Sequence, residues 1–384
     1  MIEEPAPRAS LIAVVVGTRP EAIKMSPVVL KLRERPNRFK TVLISTGQHK
    51  EMLDLALADF DLSPDYDLAL MATGQTLAHI TSSAMDGFSE LLGQLRPDVV
   101  LVQGDTTTAM SCALASFYMR IPVGHVEAGL RTLDRYQPFP EEINRRMITT
   151  LATWHYAPTL GAVNRLLSEG VAQDVVVRTG NTVVDALLRI AEQVEDLPEG
   201  VRKPYILVTA HRRENLGRPL EQICLALRDL VHRNTNLQIV YPVHPNPAVR
   251  DVVYKILQDE PNVQLMAPVS YRSLVALMRG CHMVLTDSGG IQEEAPVFGR
   301  PVLVLREVTE RPEAVEAGTV RVVGTDRKRI VVETERLLQN QEAYAEMARA
   351  VSPYGDGHAA DRIVEHLGQN AQVASRETVA PFPG

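Results

Sequence analysis

The sequence predicts an α/β fold of two doubly wound domains, each built on a parallel sheet. The chain has 384 residues, 45% of them hydrophobic, so it is long enough to bury two cores. Short apolar segments alternate with helical ones in both halves, as in parallel βαβ units. The apolar segments lack a polar face, which indicates strands covered by helices on both sides. Two such domains facing each other would bring their strand ends to one central cleft, where ligands bind.

The predicted elements follow this alternation from the first strand onward. Residues 11–16 (LIAVVV) form the first strand, and a helix follows from 22 to about 35 after the turn at 17–21. Further strands of the first half are predicted at 41–45, 98–103 and 121–126, and helices at 50–59, 76–95 and 107–118. Strands of the second half are predicted at 205–209, 238–241, 263–265, 283–286 and 302–305. Its helices are predicted at 220–233, 249–259 and 271–280.

A linker is predicted between the two halves. A helix at 185–195 precedes the segment DLPEG at 196–200, whose Pro and Gly favour a turn. The sequence therefore predicts a first domain at 1–182, a linker helix and hinge at 183–199 and a second domain at 200–365. A C-terminal tail is placed at 366–384, and its polar part at 369–384, with late prolines, is expected to be mobile.

Composition and missing motifs exclude several classes of protein. The net charge is −7 and no long Lys/Arg run occurs, which argues against a nucleic-acid partner. Cys112, Cys224 and Cys281 lie far apart, which favours a reducing compartment and neither disulfides nor a zinc site. No signal peptide or membrane-spanning run is recognisable, so we expect a cytoplasmic protein without a membrane partner. HExxH, GxxxxGK[ST] and a GxGxxG after a strand are absent, so neither metal nor cofactor is expected.

One turn predicts an anion site in the second domain. Ser288, Gly289 and Gly290 stand between the apolar run 281–285 and a helix that begins near 291. Two glycines allow the backbone to approach a ligand, and the free N–H groups of a helix start attract a diphosphate. Glu294, one turn further on, could accept hydrogen bonds from ribose hydroxyls. The alternative is a plain turn after a strand.

Charged and polar side chains follow most of the predicted strands, where this fold binds ligands. In chain order they are Arg19, Lys24, Asp105, Glu127, His211, His244 and Arg311, with Glu141 in a loop after the strand at 121–126. Each has a structural alternative. Asp105 could cap a helix, Glu127 could pair with Arg131, Glu141 or Glu142 could sit in a helix's first turn, and His211 could be a satisfied polar residue.

Long motifs along nearly the whole chain resemble one enzyme family. They include GTRPEAIKM at 17–25, QGDTTT at 103–108, HVEAGLRT at 125–132, TGNTVVDAL at 179–187, TAHRREN at 209–215 and TDSGGIQEEAP at 286–296. These are similar to the non-hydrolysing UDP-N-acetylglucosamine 2-epimerases. The resemblance implies two Rossmann-like domains of the glycosyltransferase-B type and a homodimer. It also implies reversible conversion of UDP-N-acetylglucosamine to UDP-N-acetylmannosamine through 2-acetamidoglucal, for cell-envelope polysaccharides.

The resemblance also implies roles for individual residues. By position in the motifs, the catalytic residues would be Asp105, Glu127, Glu141 and His211. The nucleotide-sugar residues would be Arg19, Lys24, Ser288, Gly289, Gly290, Glu294 and Arg311. A second, activating nucleotide-sugar site would use Gln48, His49 and His244. A hydrolysing relative, a retaining glycosyltransferase of the same fold and a non-catalytic nucleotide-sugar sensor stay open as alternatives.

Overall fold

The structure is a computed structural model, and it describes residues 8–47, 50–70, 74–194, 196–309 and 311–378. The chain divides into two compact units. Unit 1 comprises Met1–Ala186 with Tyr354–Gly384, and unit 2 comprises Leu187–Pro353. Each unit has one parallel sheet with helices between successive strands. The predicted fold class, two Rossmann-like domains, is therefore confirmed.

Unit 1 contains a parallel sheet with the strand order β3-β2-β1-β4-β5-β6-β7 among the described residues. Its strands are β1 (Ser10–Val16), β2 (Phe39–Ser45), β3 (Tyr66–Asp67), β4 (Val99–Gln103), β5 (Val123–Val126), β6 (Trp154–Ala157) and β7 (Val176–Arg178). The helices between them are α1 (Arg19–Arg33), α2 (Lys50–Ala58), α3 (Leu77–Leu95), α4 (Thr107–Tyr118), α5 (Glu141–Leu151) and α6 (Leu160–Ser168), and α7 (Thr182–Gln193) follows β7.

Unit 2 contains a parallel sheet with the strand order β10-β9-β8-β11-β12-β13 among the described residues. Its strands are β8 (Tyr205–Thr209), β9 (Gln238–Pro242), β10 (Val263–Met266), β11 (Met283–Thr286), β12 (Val302–Val304) and β13 (Val320–Val322). Its helices are α8 (Arg218–Arg233), α9 (Pro247–Leu257), α10 (Tyr271–Gly280), α11 (Gly289–Glu294), α12 (Pro312–Glu316), α13 (Arg327–Gln339) and α14 (Gln341–Arg349). The last helix of the chain is α15 (Ala359–Thr378), in unit 1.

The apolar strands form the centres of both sheets, because side chains on both faces pack under helices. In β1, Ile12, Ala13 and Val14 are fully buried, and the strand pairs in parallel with β2 on one side and β4 on the other. In unit 2, β8 pairs in the same way with β9 and β11. The winding direction of the chain reverses at β1/β4 and at β8/β11. At such switch points the loops after neighbouring strands diverge and leave a crevice for a ligand.

The predicted strands and helices are present, with ends that move by at most three residues. Strands β3, β6, β7 and β13 and helices α6, α12, α13, α14 and α15 were not predicted, and α5 was considered only as an alternative for Glu141 and Glu142. The missed strands are two to four residues long and contain polar residues such as His155 and Arg321, so they lack a long apolar run.

The predicted C-terminal boundary of the second domain, at residue 365, was wrong. Residues 354–365 belong to unit 1 rather than to a second domain ending at 365, and residues 369–378, which were expected to be mobile, are part of helix α15. Asp185 accepts the N–H groups of Ala359 (3.2 Å) and Ala360 (2.8 Å) at the start of α15. Along the helix, Ile363 and Leu367 are fully buried. The boundary before unit 2 falls inside α7, after residue 186, and residues 379–384 lie outside the described residues.

Candidate active site

The turn after β1 carries Arg19 and is fixed by a buried carboxylate. Glu21 accepts the N–H of Gly17 (2.8 Å) and the hydroxyl of Thr106 (2.7 Å) at the start of α4. Gly17 leaves no room for a side chain, because a Cβ there would lie 2.3 Å from Oγ1 of Thr46. Arg19 begins α1 directly after this turn. Its guanidinium has no hydrogen-bond partner among the described residues, so it is available to an anion.

Asp105 follows β4 at the same switch point and is held by α5. Nη2 of Arg145 lies 2.5 Å from Oδ2 of Asp105, and the amide of Asn144 donates to the backbone carbonyl of Asp105 at 3.0 Å. Burial raises the pKa of the Asp105 carboxyl; Arg145 opposes this rise, and the nearby carboxylate of Glu127 adds to it. Asp105 therefore keeps a proton to higher pH than an exposed aspartate does.

Glu127 follows β5 and is surrounded by donors. Nζ of Lys24 lies 2.7 Å from Oε1 and 2.6 Å from Oε2, so Lys24 is paired with Glu127 in this structure. Nε2 of Gln103 makes a short hydrogen bond to Oε2, and Nδ2 of Asn181 donates to Oε1 at 3.3 Å. The backbone of Glu127 has a φ of 65°, which a residue other than glycine seldom adopts and which is common at functional sites.

Glu141 and Glu142 both lie in the first turn of α5, but their contacts differ. Glu142 is fully buried; it accepts the N–H of Thr132 at 3.0 Å and pairs with Arg146 at 2.7 Å. In contrast, Oε2 of Glu141 is buried without a hydrogen-bond partner among the described residues. Glu141 is four residues before Arg145, so both lie on the same face of α5. Glu141 thus lies on the face of α5 that contacts Asp105.

Two structural alternatives for these carboxylates are wrong. The cap of α4 is Thr106, not Asp105, because the Thr106 hydroxyl accepts a first-turn N–H at 3.0 Å. Arg131 pairs with Glu169 at 2.6 Å, whereas Glu127 pairs with a lysine. Asp105 is therefore not a helix cap, and Glu127 is not the partner of Arg131.

In unit 2, the loop after β8 is fixed to the end of β11 by Asp287. The fully buried carboxylate accepts the N–H groups of His211 and Arg212, each at 2.8 Å, and the side-chain amide of Asn215 at 2.9 Å. Nδ1 of His211 lies 3.7 Å from the other oxygen of Asp287. Burial lowers the pKa of His211 although Asp287 opposes the change. His211 is thus a neutral imidazole at neutral pH, positioned at the switch point.

The glycine turn after β11 meets two guanidinium groups. Ser288 precedes the first turn of α11, and Gly289 and Gly290 open the helix, so their N–H groups lack intrahelical acceptors. A Cβ built on Gly289 would lie 3.7 Å from Nη2 of Arg311 and 3.8 Å from Nη2 of Arg212. Helix N–H groups and two cations therefore converge here, and this combination suits a diphosphate.

Acidic residues of α11 orient the groups around this turn. Glu293 is buried and makes a short ion pair with Nε of Arg311, which fixes the guanidinium. Glu294 is 6% exposed, and its Oε1 accepts the hydroxyl of Tyr271 at 2.8 Å. Glu294 thus has a protein partner on one oxygen.

The proposed second nucleotide-sugar site can be described only in part. His244 stacks on His211, with ring centroids 5.1 Å apart and an interplanar angle of 7°. Nδ1 of His244 accepts the N–H of Asn246 at 3.1 Å, which leaves the proton of the neutral ring on Nε2. Gln48 and His49 lie outside the described residues.

Several residues at these sites were not singled out from the sequence as contacts of the site residues. They are Gln103, Asn144, Arg145, Asn181, Arg212, Asn215, Tyr271, Asp287 and Glu293. Most lie inside the quoted motifs, which was the available signal, but their partners are distant in sequence and depend on strand order.

Comparison with known proteins identifies the family. The family model described as UDP-N-acetylglucosamine 2-epimerase matches residues 30–368. The chain belongs to the UDP-N-acetylglucosamine 2-epimerase family. The UDP-N-acetylglucosamine 2-epimerase of Escherichia coli K12 is 52% identical over 368 residues, covering 93% of this chain and 98% of the relative. The prediction that this chain is an isomerase of that family is confirmed.

Solved structures of this epimerase family have the same fold. UDP-GlcNAc 2-epimerase from Neisseria meningitidis, bound to UDP-GlcNAc, matches with a TM-score of 0.87 and 45% identity, over 94% of this chain and 100% of that chain. UDP-GlcNAc 2-epimerase from Methanocaldococcus jannaschii, in complex with UDP-GlcNAc and UDP, matches with a TM-score of 0.80 and 32% identity, over 94% of this chain and 100% of that chain. The glycosyltransferase-B type of fold is thereby confirmed for this epimerase.

The described part of the epimerase chain has neither a metal-binding cluster nor a membrane-spanning helix. No group of three or more His, Cys, Asp or Glu residues there could hold a metal ion. None of the helices within the same residues is both long and apolar enough to cross a membrane.

Proposed function

We propose that this epimerase interconverts UDP-N-acetylglucosamine and UDP-N-acetylmannosamine without net hydrolysis, by eliminating UDP and adding it back. The observation that carries the proposal is the set of carboxyl groups in unit 1, which have three different environments. Asp105 is partly buried and paired with Arg145, Glu127 is enclosed by donors, and Glu141 has a buried oxygen without a described partner. Inversion at C2 needs a group that takes a proton and another that returns one, and different environments supply different proton affinities.

The chemistry of the sugar favours elimination. The C2 proton is not next to a carbonyl carbon, so its direct removal would be slow. Lengthening the bond between C1 and the UDP oxygen places positive charge on C1 and acidifies the C2 proton. The electron pair of the C2–H bond then forms the C1=C2 double bond of 2-acetamidoglucal, and the C1–O pair leaves with UDP. Re-addition reverses these steps, with the proton delivered to the other face of C2.

Unit 2 would hold UDP between its elimination and its re-addition. The N–H groups at the start of α11 and the guanidinium groups of Arg212 and Arg311 offer donors and positive charge to a diphosphate. Ser288 would contribute to the same turn, and Glu294 would accept a ribose hydroxyl. Arg19 of unit 1 would add a cation to the departing phosphate, and Lys24 would act beside Glu127.

Acid–base work would fall to the carboxylates of unit 1, with His211 as an additional group beside the phosphate. The raised pKa of Asp105 suits a group that holds a proton during part of the cycle. The neutral ring of His211 could donate to the leaving oxygen through a ring N–H. The chain would use no cofactor, because the nucleotide is part of the substrate.

The assembly and the cellular role are also proposed from the resemblance. The protein would be a cytoplasmic homodimer that supplies N-acetylmannosamine units for envelope polysaccharides. The exposed apolar side chains of Phe117, Tyr118 and Met119 at the end of α4 are a candidate surface for the second copy, because large exposed apolar patches mark interaction sites. Sedimentation velocity tests the assembly: wild type should sediment as a dimer, and a monomeric wild type would contradict the proposal.

Proton NMR of UDP-N-acetylglucosamine with the enzyme in deuterium oxide tests the function. We expect the C2 epimer to appear with deuterium at C2, while UDP and free sugar stay at trace levels. Stoichiometric release of UDP and free N-acetylmannosamine would indicate the hydrolysing reaction instead. A substrate that binds but keeps its C2 proton would leave the glycosyltransferase and sensor alternatives, of which only the glycosyltransferase would transfer sugar to an added acceptor.

A further inference from the structure

Two motifs of the sequence contribute side chains to which the proposed reaction assigns no role. Gln103 opens the motif QGDTTT at the end of β4, and Asn181 lies in the motif TGNTVVDAL just before α7. The two residues are 78 positions apart, yet both side chains donate to the carboxylate of Glu127. Their shared partner suggests a shared purpose.

The orientation of both amides is fixed by their surroundings. Oδ1 of Asn181 accepts the N–H of Val183 at 3.1 Å, so the NH₂ group of Asn181 must point to Glu127. Gln103 is 4% exposed. An ionised carboxylate can only accept hydrogen bonds, so Gln103 must also present its NH₂ group. The contacts are therefore donations to an anion.

These donors occupy both oxygens of Glu127. Oε1 accepts from Lys24 at 2.7 Å and from Asn181 at 3.3 Å; Oε2 accepts from Lys24 at 2.6 Å and from Gln103. A proton placed on either oxygen would face an N–H group that already points there. Glu127 could take a proton only by breaking one of these contacts.

We infer that Glu127 acts in the reaction as a fixed anion, and that Gln103 and Asn181 are positioning residues that keep it ionised. The inference rests on the proposed function. The C2 proton then moves to and from Asp105 and Glu141, and Glu127 bears a permanent negative charge. Such a charge can stabilise the positive charge that grows on C1 as the bond to UDP lengthens.

Besides the two neutral amides, two charged groups act on Glu127. Lys24 approaches from α1, and Asp105 approaches from the turn after β4. Lys24 favours the ionised form of Glu127, whereas Asp105 disfavours it when both are ionised. With such a neighbour, each donated hydrogen bond matters for keeping the proton off Glu127.

Replacing a donor with an acceptor of the same shape tests the inference. Asn181→Asp retains an oxygen for the N–H of Val183 but places a second carboxyl group against Glu127. Gln103→Glu likewise places a second carboxyl group against Glu127, from the end of β4. Two carboxyl groups in contact share a proton to higher pH. The acid limb of the kcat profile should therefore move up by about one pH unit or more, which lowers kcat about tenfold below the limb.

The measurements are kcat and KM for UDP-N-acetylglucosamine from pH 6 to pH 9, by the NMR assay. We expect kcat of each variant to recover at pH 9 to within about threefold of wild type and KM to change less than about threefold, since above the limb the shared proton has left and Glu127 is ionised again. Asn340→Asp is the matched control: Asn340 also caps a helix, α14, through its side-chain oxygen at 2.9 Å, but lies in unit 2. It should keep the wild-type profile.

Three results would overturn the inference. One is a kcat that falls by the same factor at every pH, which would indicate a structural role for the amides. The second is an unchanged profile in both variants. Thermal unfolding with UDP shows whether each variant is folded. If Gln103→Glu does not fold, the kcat profile of Asn181→Asp alone tests the inference. The third is a wild type that leaves the C2 proton unexchanged, which would overturn the proposed function and this inference with it.

Discussion

Two buried histidines in the sheet of unit 1 should make the protein lose stability as the pH falls from 7 to 5. His125 on β5 and His155 on β6 are paired in register and are 0% and 2% exposed. Burial lowers the pKa of His125 to about 3, and burial together with Arg131 lowers the pKa of His155 to about 4. Both rings are therefore neutral in the folded protein throughout this pH range.

The sign and the size follow from proton linkage. In the unfolded chain a histidine has a pKa of about 6.5, so between pH 6.5 and the folded-state value the unfolded chain binds more protons. The free energy of unfolding therefore falls as the pH falls through 6.5 and continues to fall until the folded-state pKa is reached. For His155, with a folded-state pKa of about 4, the loss between pH 7 and pH 5 is about 2 kcal/mol. For His125 it is also about 2 kcal/mol, because both folded-state values lie below pH 5.

The variant His155→Gln isolates one of these contributions. Other buried groups act in the opposite direction: burial raises the pKa of Glu21 and Asp185, and these carboxyl groups stabilise the fold on acidification. The difference between wild type and variant cancels such groups. We expect the stability of His155→Gln to depend less on pH by about 2 kcal/mol between pH 7 and pH 5, whatever its stability at pH 7.

Tryptophan fluorescence during denaturant unfolding measures this difference. The sequence has one tryptophan, Trp154, which is 6% exposed on β6, so its signal reports the unfolding of unit 1. His79→Gln is the control, because that exposed residue of α3 should leave the pH dependence as in wild type. A His155→Gln variant that loses as much stability as wild type between pH 7 and pH 5 would refute the reasoning.

Three further predictions concern the reaction. UDP should raise the free energy of unfolding by about 2.7 kcal/mol at a hundredfold excess over Kd, and a melting temperature that stays flat up to millimolar UDP would contradict this. Arg19→Ala should lower kcat/KM more than it raises the Kd for UDP, because most of the UDP donors lie in unit 2; an unchanged kcat/KM would exclude the role. Asp105→Asn and Glu141→Gln should each lower kcat by about 10²–10⁴-fold with UDP binding retained, and at least one should release 2-acetamidoglucal. If both keep more than about a tenth of kcat, less loss than an acid or base implies, His211 becomes the leading candidate.

The fold could be predicted because its central strands are apolar on both faces and are separated by helices. β1, for example, is buried along almost its whole length and reads as a strand without further information. The C-terminal helix α15 was not predicted, because its many polar residues and the late prolines obscure its apolar spacing. Ile363 and Leu367 lie four residues apart and are both fully buried, so the pattern of a packed helix was present.

The contacts of the site could not be predicted, because they join residues that only the strand order brings together. Lys24 and Glu127 are 103 residues apart, and Asp287 binds a loop more than 70 residues before it. β8 and β11 are not consecutive in the chain, yet they are neighbours in the sheet. The sequence could place each residue after a strand, but it could not say which strands are adjacent.

The structure also gives a reason why Asp105, Glu127 and Glu141, rather than their neighbours, are the candidates for chemistry. For each of them, another residue nearby makes the structural contact that the sequence allowed as an alternative. Thr106 caps α4 in place of Asp105, and Glu142 binds the Thr132 loop in place of Glu141. Near Glu127, Arg131 is paired with Glu169. Burying a carboxylate costs stability unless something is gained, and here the helix cap, loop contact and ion pair are supplied by others. We therefore propose that what these carboxylates gain is the acid–base and electrostatic work on the sugar described above.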